Sequence, residues 1–207
     1  MAQNIGLFGG TFDPIHNGHL ALAGGFASRL SFHKIFLMPA AVPPHKQRPD
    51  MAPAEHRLRM CELAVEGRPP FEVSSLEIDR GGASYTADTL GELKKEFPRA
   101  NIYLIMGADM YMTVQGWRRF GDIARLATLC TAPRGDISMT ALRRQAAALE
   151  QIPGDGGTVR AASWILGIPL TPVSSTEIRR RIKAGEPIGG MVPEKVADYI
   201  HEKELYL

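Results

Sequence analysis

Two cysteines in 207 residues are too few for a disulfide scaffold. Cys61 and Cys130 stand alone in apolar surroundings, without CxxC or zinc-type spacing, so buried reduced thiols are the expected state. No apolar run is long enough to span a bilayer, and Met1-Ala2-Gln3-Asn4 supplies no basic leader, so neither a membrane segment nor a signal peptide is expected. The chain also lacks charge bias. With 24 Lys+Arg against 22 Asp+Glu it carries net +2, which excludes a strongly cationic nucleic-acid binder but allows a local phosphate-binding patch. Repeats and low-complexity tracts are absent. GxGxxG and GxxxxGK(S/T) are absent too, which removes support for a dinucleotide-dependent dehydrogenase or a P-loop ATPase. Small anions as partners and a cytoplasmic location fit these absences.

What is present centres on Gly9-Gly10-Thr11-Phe12-Asp13-Pro14-Ile15-His16-Asn17-Gly18-His19. Before it, Asn4 to Phe8 reads as a short buried parallel strand; after it, Leu20 to Leu30 reads as an apolar helix. A strand, a glycine turn and a helix start place backbone N–H groups at the carboxyl edge of a sheet, where anions bind in open α/β folds. Gly9 and Gly10 let the backbone approach a phosphate. His16 and His19, at i and i+3, should project together, and two imidazole donors there suit charge developing on a phosphoryl group. No third ligand is spaced to make them a metal site. The alternative is that Asp13 or Asn17 caps the helix and the histidines are partly solvated surface.

The rest of the chain alternates strand and helix. Strands are expected at Lys34 to Met38, Phe71 to Ile78, Ile102 to Met106 and Ala127 to Ala132, with Ile165-Leu166 and Pro169 to Val173 returning to the sheet. Helices are expected from Ala54 to Glu66, burying Leu58, Cys61 and Val65, and from about Thr86 to Phe97, capped by Thr86 or Ser84. Further helices should cover Leu142 to Leu149, the stretch from Ser174 to Gly185, and Glu194 to about Lys203. Pro153 to Gly157 reads as flexible loop. The pattern predicts an α/β, doubly wound parallel sheet forming one domain over 1–207, with 174–207 as a small C-terminal helical extension.

The long glycine-histidine string resembles the HxGH signature of the nucleotidyltransferase superfamily and, in its extended form, the bacterial nicotinate-nucleotide adenylyltransferase family. Val173-Ser174-Ser175-Thr176-Glu177-Ile178-Arg179 is similar to that family's second signature, I-S-S-T-x-I-R. Read from residues alone, Ser174-x-x-Glu177 is a capping box, and the same helix start, with Ser175, Thr176 and Arg179, can also cradle a triphosphate. The resemblance implies a Rossmann-like nucleotidyltransferase fold and transfer of AMP from ATP to nicotinate mononucleotide, giving nicotinate adenine dinucleotide and pyrophosphate. Its implied site puts Gly9, Gly10, Thr11, Phe12, His16, His19, Ser175, Thr176 and Arg179 on ATP, with His16 and His19 catalytic. Mg²⁺ would be held mainly by the ATP phosphates, because no carboxylate cluster offers a protein cage.

For the mononucleotide, the resemblance implies His45 and Lys46 in the loop Pro43-Pro44-His45-Lys46, which read alone is equally a basic surface loop. It also implies Tyr85 and Thr86, Asp109 after the strand ending at Met106, Trp117, and Arg134, which resembles an arginine near the mononucleotide phosphate. Asp109 suits ribose hydroxyls and Trp117 suits stacking on a pyridine ring. The rival readings are another HxGH enzyme, such as a phosphopantetheine adenylyltransferase, and a nucleotide-sensing module that binds without turnover.

Overall fold

The computed structural model describes residues 3–43, 48–154, 157–169 and 172–207. Six parallel strands make one sheet in the order β3-β2-β1-β4-β5-β8. They are β1 (Asn4–Gly10), β2 (Lys34–Pro39), β3 (Phe71–Val73), β4 (Asn101–Ile105), β5 (Ala127–Thr131) and β8 (Ser163–Ile165), with β6 (Ile152–Gly154) and β7 (Gly157–Val159) forming a separate antiparallel pair. Strand direction alternates side chains between two cores. Ile5, Leu7, Ile102 and Leu104 face one; Phe8, Ile35, Leu37 and Ile105 face the other.

Helices cover both faces, as the predicted doubly wound sheet requires. On the Ile5 and Leu7 side lie α4 (Thr86–Glu96), α5 (Ala108–Thr113), α6 (Phe120–Leu126) and α7 (Met139–Leu149). On the Phe8 side lie α1 (Asn17–Ala27), α2 (Ala54–Val65), α8 (Ser175–Lys183) and α9 (Glu194–Glu202). The strand order reverses between β1 and β4, and ligands of open α/β sheets bind at the carboxyl ends beside such a reversal. Gly9 and Gly10 end one of these strands, and Gly107 and Asp109 follow the other. Among the described residues no helix is long and apolar enough to cross a membrane.

Several local expectations are corrected. The alternation over Phe71 to Ile78 stops at Val73, and Leu76–Arg80 forms the short helix α3, because the Ser74 hydroxyl accepts from the Leu76 N–H at 3.3 Å and turns the chain. In α2 the buried residues are Arg57, Met60, Cys61, Ala64 and Val65, while Leu58 is only half-buried. Neither Ser84 nor Thr86 caps α4: Tyr85 holds the cap position without a side-chain bond, and the Ser84 hydroxyl accepts from Ala41 N–H at 2.9 Å. In the segment read as loop, residues 152–154 and 157–159 pair as strands. Leu166, Pro169, Pro172 and Val173 lie outside the sheet. Cys61 and Cys130 are buried free thiols, as expected.

Candidate active site

The first turn of α1 is closed by its own histidines. His16 is the cap residue, and its Nδ1 accepts from the His19 N–H at 3.2 Å, while His19 Nδ1 accepts from the His16 N–H at 3.2 Å. Neither Asp13 nor Asn17 takes this role; the Asn17 side chain donates to Gly190 O at 2.8 Å. The reciprocal bonds set the tautomers, because a ring nitrogen that accepts cannot carry the proton, so each neutral imidazole holds its hydrogen on Nε2. The rings stack at 3.6 Å between centroids, 17° from parallel, and so do project together. Phe12 and Phe8 pack edge-on against His19. His16 is 1% exposed, and burial, followed by the charge of Arg134, lowers its pKa to about 3. It stays a neutral donor at physiological pH.

A cavity of about 560 Å³ opens over the ends of β1 and β4. His19 lines it together with Gly9, Gly10, Thr11 and Phe12. His16 does not; it sits behind His19. Ser175, Thr176 and Arg179 bring the start of α8 to the same wall. The Ser174 hydroxyl caps that helix by accepting from Glu177 N–H at 3.2 Å, but the capping box is only half made, since the Glu177 carboxylate is taken by Arg180 and Arg181. Ser175 ties α8 to the glycine loop by donating to Pro14 O at 2.9 Å, and Arg179 does so by donating to Asp13 O at 2.6 Å. Burial and the nearby charge of Arg48 lower the Arg179 pKa from its ordinary value, against the raising effect of Asp13.

Tyr85, Thr86, Asp109 and Trp117 also line the cavity. Tyr85 and Thr86 open α4, whose first N–H groups have no acceptor within the helix. Asp88, in that first turn, is turned away: its carboxylate accepts from Arg119 Nη1 at 2.7 Å. Trp117 is half-buried and also packs against the core on the α4 side. The Asp109 carboxylate folds back over Gly107, where a Cβ would lie 2.7 Å from Oδ1, so that glycine makes room for it. Arg134 lines the cavity after β5 and donates to Val173 O at the approach to α8. Among the described residues the structure thus gathers every expected site residue except His16 around one cavity; His45 and Lys46 lie outside the described residues.

Other residues at the site escaped the sequence reading. Arg118 lines the cavity with its guanidinium 4.5 Å from the Tyr85 ring centroid. Glu77 lines it from α3, its pKa raised by burial against the lowering effect of hydrogen bonds from Thr89 and Ser84. Arg57, 1% exposed, braces the loop from behind by donating to the carbonyls of Thr11, Ala41 and Ala52 at 2.9–3.1 Å. A buried arginine bonded to three carbonyls leaves no hydropathy signal. Among the described residues no group of three or more His, Cys, Asp and Glu side chains could hold a metal ion.

The family described as cytidylyltransferase-like matches residues 7–181. A Geobacillus kaustophilus protein described as a probable nicotinate-nucleotide adenylyltransferase is 39% identical over 202 residues, 98% of this chain and 85% of the relative. The Bacillus subtilis nicotinate-nucleotide adenylyltransferase is 34% identical over 204 residues, 99% of this chain and 98% of that protein. Among solved structures, Plasmodium falciparum nicotinic acid mononucleotide adenylyltransferase complexed with NaAD superposes with a TM-score of 0.77 at 20% identity, covering 99% of this chain and 97% of that one. At that identity the likeness shows the fold.

Proposed function

The chain belongs to the nicotinate-nucleotide adenylyltransferase family, within the cytidylyltransferase-like nucleotidyltransferases, and from that premise we propose that it transfers the adenylyl group of ATP to nicotinate mononucleotide, releasing pyrophosphate. The observation that carries this reading is the cavity itself, whose lining joins the glycine loop, His19 and the start of α8 with Trp117, Asp109 and the start of α4 at the β1/β4 reversal. Two nucleotides can therefore meet over one strand end. The Plasmodium relatives are described in complex with NaAD and with APC, which accords with a site that takes both halves of a dinucleotide.

In this reading ATP enters as its magnesium complex, as substrate; the donor set fits a metal carried by phosphates, since the Asp13 carboxylate beside the glycine loop is already engaged by Arg48, Ala52 and Tyr206 and no metal-holding cluster is found among the described residues. Gly9, Gly10, Thr11 and Phe12 shape the phosphate loop, Ser175, Thr176 and Arg179 hold the triphosphate, and His19 donates to it most strongly in the transition state. His16, stacked behind, fixes the His19 ring. Trp117 stacks on the pyridine ring, Asp109 takes ribose hydroxyls, Tyr85 and Thr86 meet the ring carboxylate, and Arg134, with His45 and Lys46, serves the acceptor phosphate. That phosphate is ionised at neutral pH, so no general base is needed. It attacks the α-phosphorus, the bond to the β-phosphate oxygen breaks, and pyrophosphate leaves with its charge met by His19 and Arg179. The reading takes 1–207 as one nucleotidyltransferase unit, with 174–207 as a helical extension whose α8 completes the ATP wall.

The test is an acceptor screen with purified protein, ATP and Mg²⁺. Pyrophosphate and nicotinate adenine dinucleotide should form with nicotinate mononucleotide. Release only with phosphopantetheine, or binding of ATP without any release, would instead favour another HxGH enzyme or a sensing module.

A further inference from the structure

The Asp13 carboxylate is 3% exposed and is met by parts of the chain far apart in sequence. Oδ1 accepts from the Ala52 N–H at 3.1 Å and from the Tyr206 hydroxyl at 2.8 Å. Oδ2 is paired with Arg48 and lies 3.9 Å from Arg179 Nη1. Asp13, Arg48 and Arg179 line the cavity, whereas Tyr206 stands behind them. Leu205 and Tyr206 pack against the same core as α1, α2 and α9, and the Leu205 N–H donates to Ile200 O at 3.0 Å, which folds the segment after α9 back toward the glycine loop. Both Phe12 and Tyr206 hold left-handed backbone, with φ of 48° and 69°. Bulky residues adopt that region only where their surroundings impose it.

We propose that Tyr206 is a positioning residue for ATP: by occupying Oδ1 of Asp13, it keeps that carboxylate from drawing Arg179 off the cavity wall, so Arg48 and Arg179 remain presented to the triphosphate. The inference rests on the proposed reading that this wall takes the triphosphate. A buried carboxylate must find donors for both oxygens. Removing the hydroxyl leaves Oδ1 with the Ala52 N–H alone, beside an Arg179 Nη1 that stands 3.9 Å from Oδ2 of the same carboxylate. Burial and the adjacent Asp13 charge push the Tyr206 phenol upward, so it remains a donor through the physiological range. The hydroxyl acts through Asp13 and touches no substrate.

Tyr206→Phe keeps the ring and removes only the hydroxyl. Binding of an ATP analogue with a methylene bridge between the α- and β-phosphorus, read by calorimetry without acceptor, should weaken by about fivefold to tenfold, the loss of one hydrogen bond from Arg179 to the triphosphate. The acceptor KM should stay within about twofold. In an Asp13→Asn background the same change should have no further effect, because the pair acts as a unit. Unchanged analogue affinity in Tyr206→Phe, even with a lowered melting temperature, marks a merely structural contact and overturns the proposal, as does an equal rise in both substrate constants. If Asp13→Asn does not fold, the Tyr206→Phe binding comparison decides alone. Failure of the wild-type chain to bind the analogue would overturn the reading of the triphosphate wall instead.

Discussion

His16 and His19 show how one pair of side chains serves structure and chemistry together. Each spends Nδ1 on the other's backbone N–H, so the same bonds that cap α1 leave the Nε2–H groups as donors. His19 reaches the cavity, and loss of one donor aimed at transition-state charge typically costs about 10² to 10³ in turnover. His19→Ala should therefore lower kcat by that factor with little change in ATP affinity; a folded variant with near-normal turnover in steady-state assays would refute the role. His16 makes a different prediction. Its pKa is lowered from 6.5 to about 3 in the fold, so the unfolded chain binds the extra proton first as pH falls. The stability tied to the neutral ring is present above pH 6.5 and is lost progressively toward pH 3. His16→Asn keeps a capping acceptor but not the titration, so its melting temperature should fall less steeply than wild type across that window. Parallel curves would contradict the buried neutral imidazole.

At the scale of elements, what local pattern governs was legible and what tertiary bonding governs was not. The β1-turn-α1 unit could be read because apolar run, glycines and histidines all agree. The phase of α2 could not, since Arg57 is buried by three loop carbonyls that only the fold brings to it, and this displaces Leu58 from the core face. Ser84 likewise left its expected cap because Ala41, 43 residues away, takes its hydroxyl. Gly9, in the last residues of β1, gives an element-scale prediction: a Cβ there would meet no protein atom within 4 Å, although Gly9 lines the cavity. Gly9→Ala should fold with an unchanged melting temperature and bind ATP more weakly. A destabilised protein with normal ATP affinity would make Gly9 a packing residue. Trp117, between η1 (Val114–Gly116) and α6, faces both cavity and core. Stacking on an aromatic side chain is worth about 1–3 kcal/mol, so Trp117→Ala should raise the acceptor KM by about one to two decades and leave ATP binding nearly untouched; a variant that does not fold would assign it to the core.

Across the whole molecule, sheet order turns these separate stretches into one site. The reversal between β1 and β4 sets the glycine loop beside Gly107 and Asp109, and α8, more than 150 residues later, returns to bond Asp13 and Pro14. The alternating pattern foretold the doubly wound sheet, and the two signatures foretold most of the wall. The network joining Asp13, Arg48, Arg57 and Tyr206 was invisible, because it consists of pairings between residues distant in sequence with no shared motif. The central claim is that this arrangement adenylylates nicotinate mononucleotide, choosing the acid because the free N–H groups at the start of α4 and the Thr86 hydroxyl favour a carboxylate. Asp88, which would oppose that charge, is held by Arg119. A carboxamide would bring its own donors against those N–H groups, a mismatch costing about 1–3 kcal/mol, or roughly one to two decades in kcat/KM. The direct measurement is kcat/KM for pyrophosphate release with nicotinate and nicotinamide mononucleotides, from one preparation at fixed ATP and Mg²⁺. The account predicts that the acid is preferred by that margin; equal values, a preference for the amide, or no release with either would contradict it.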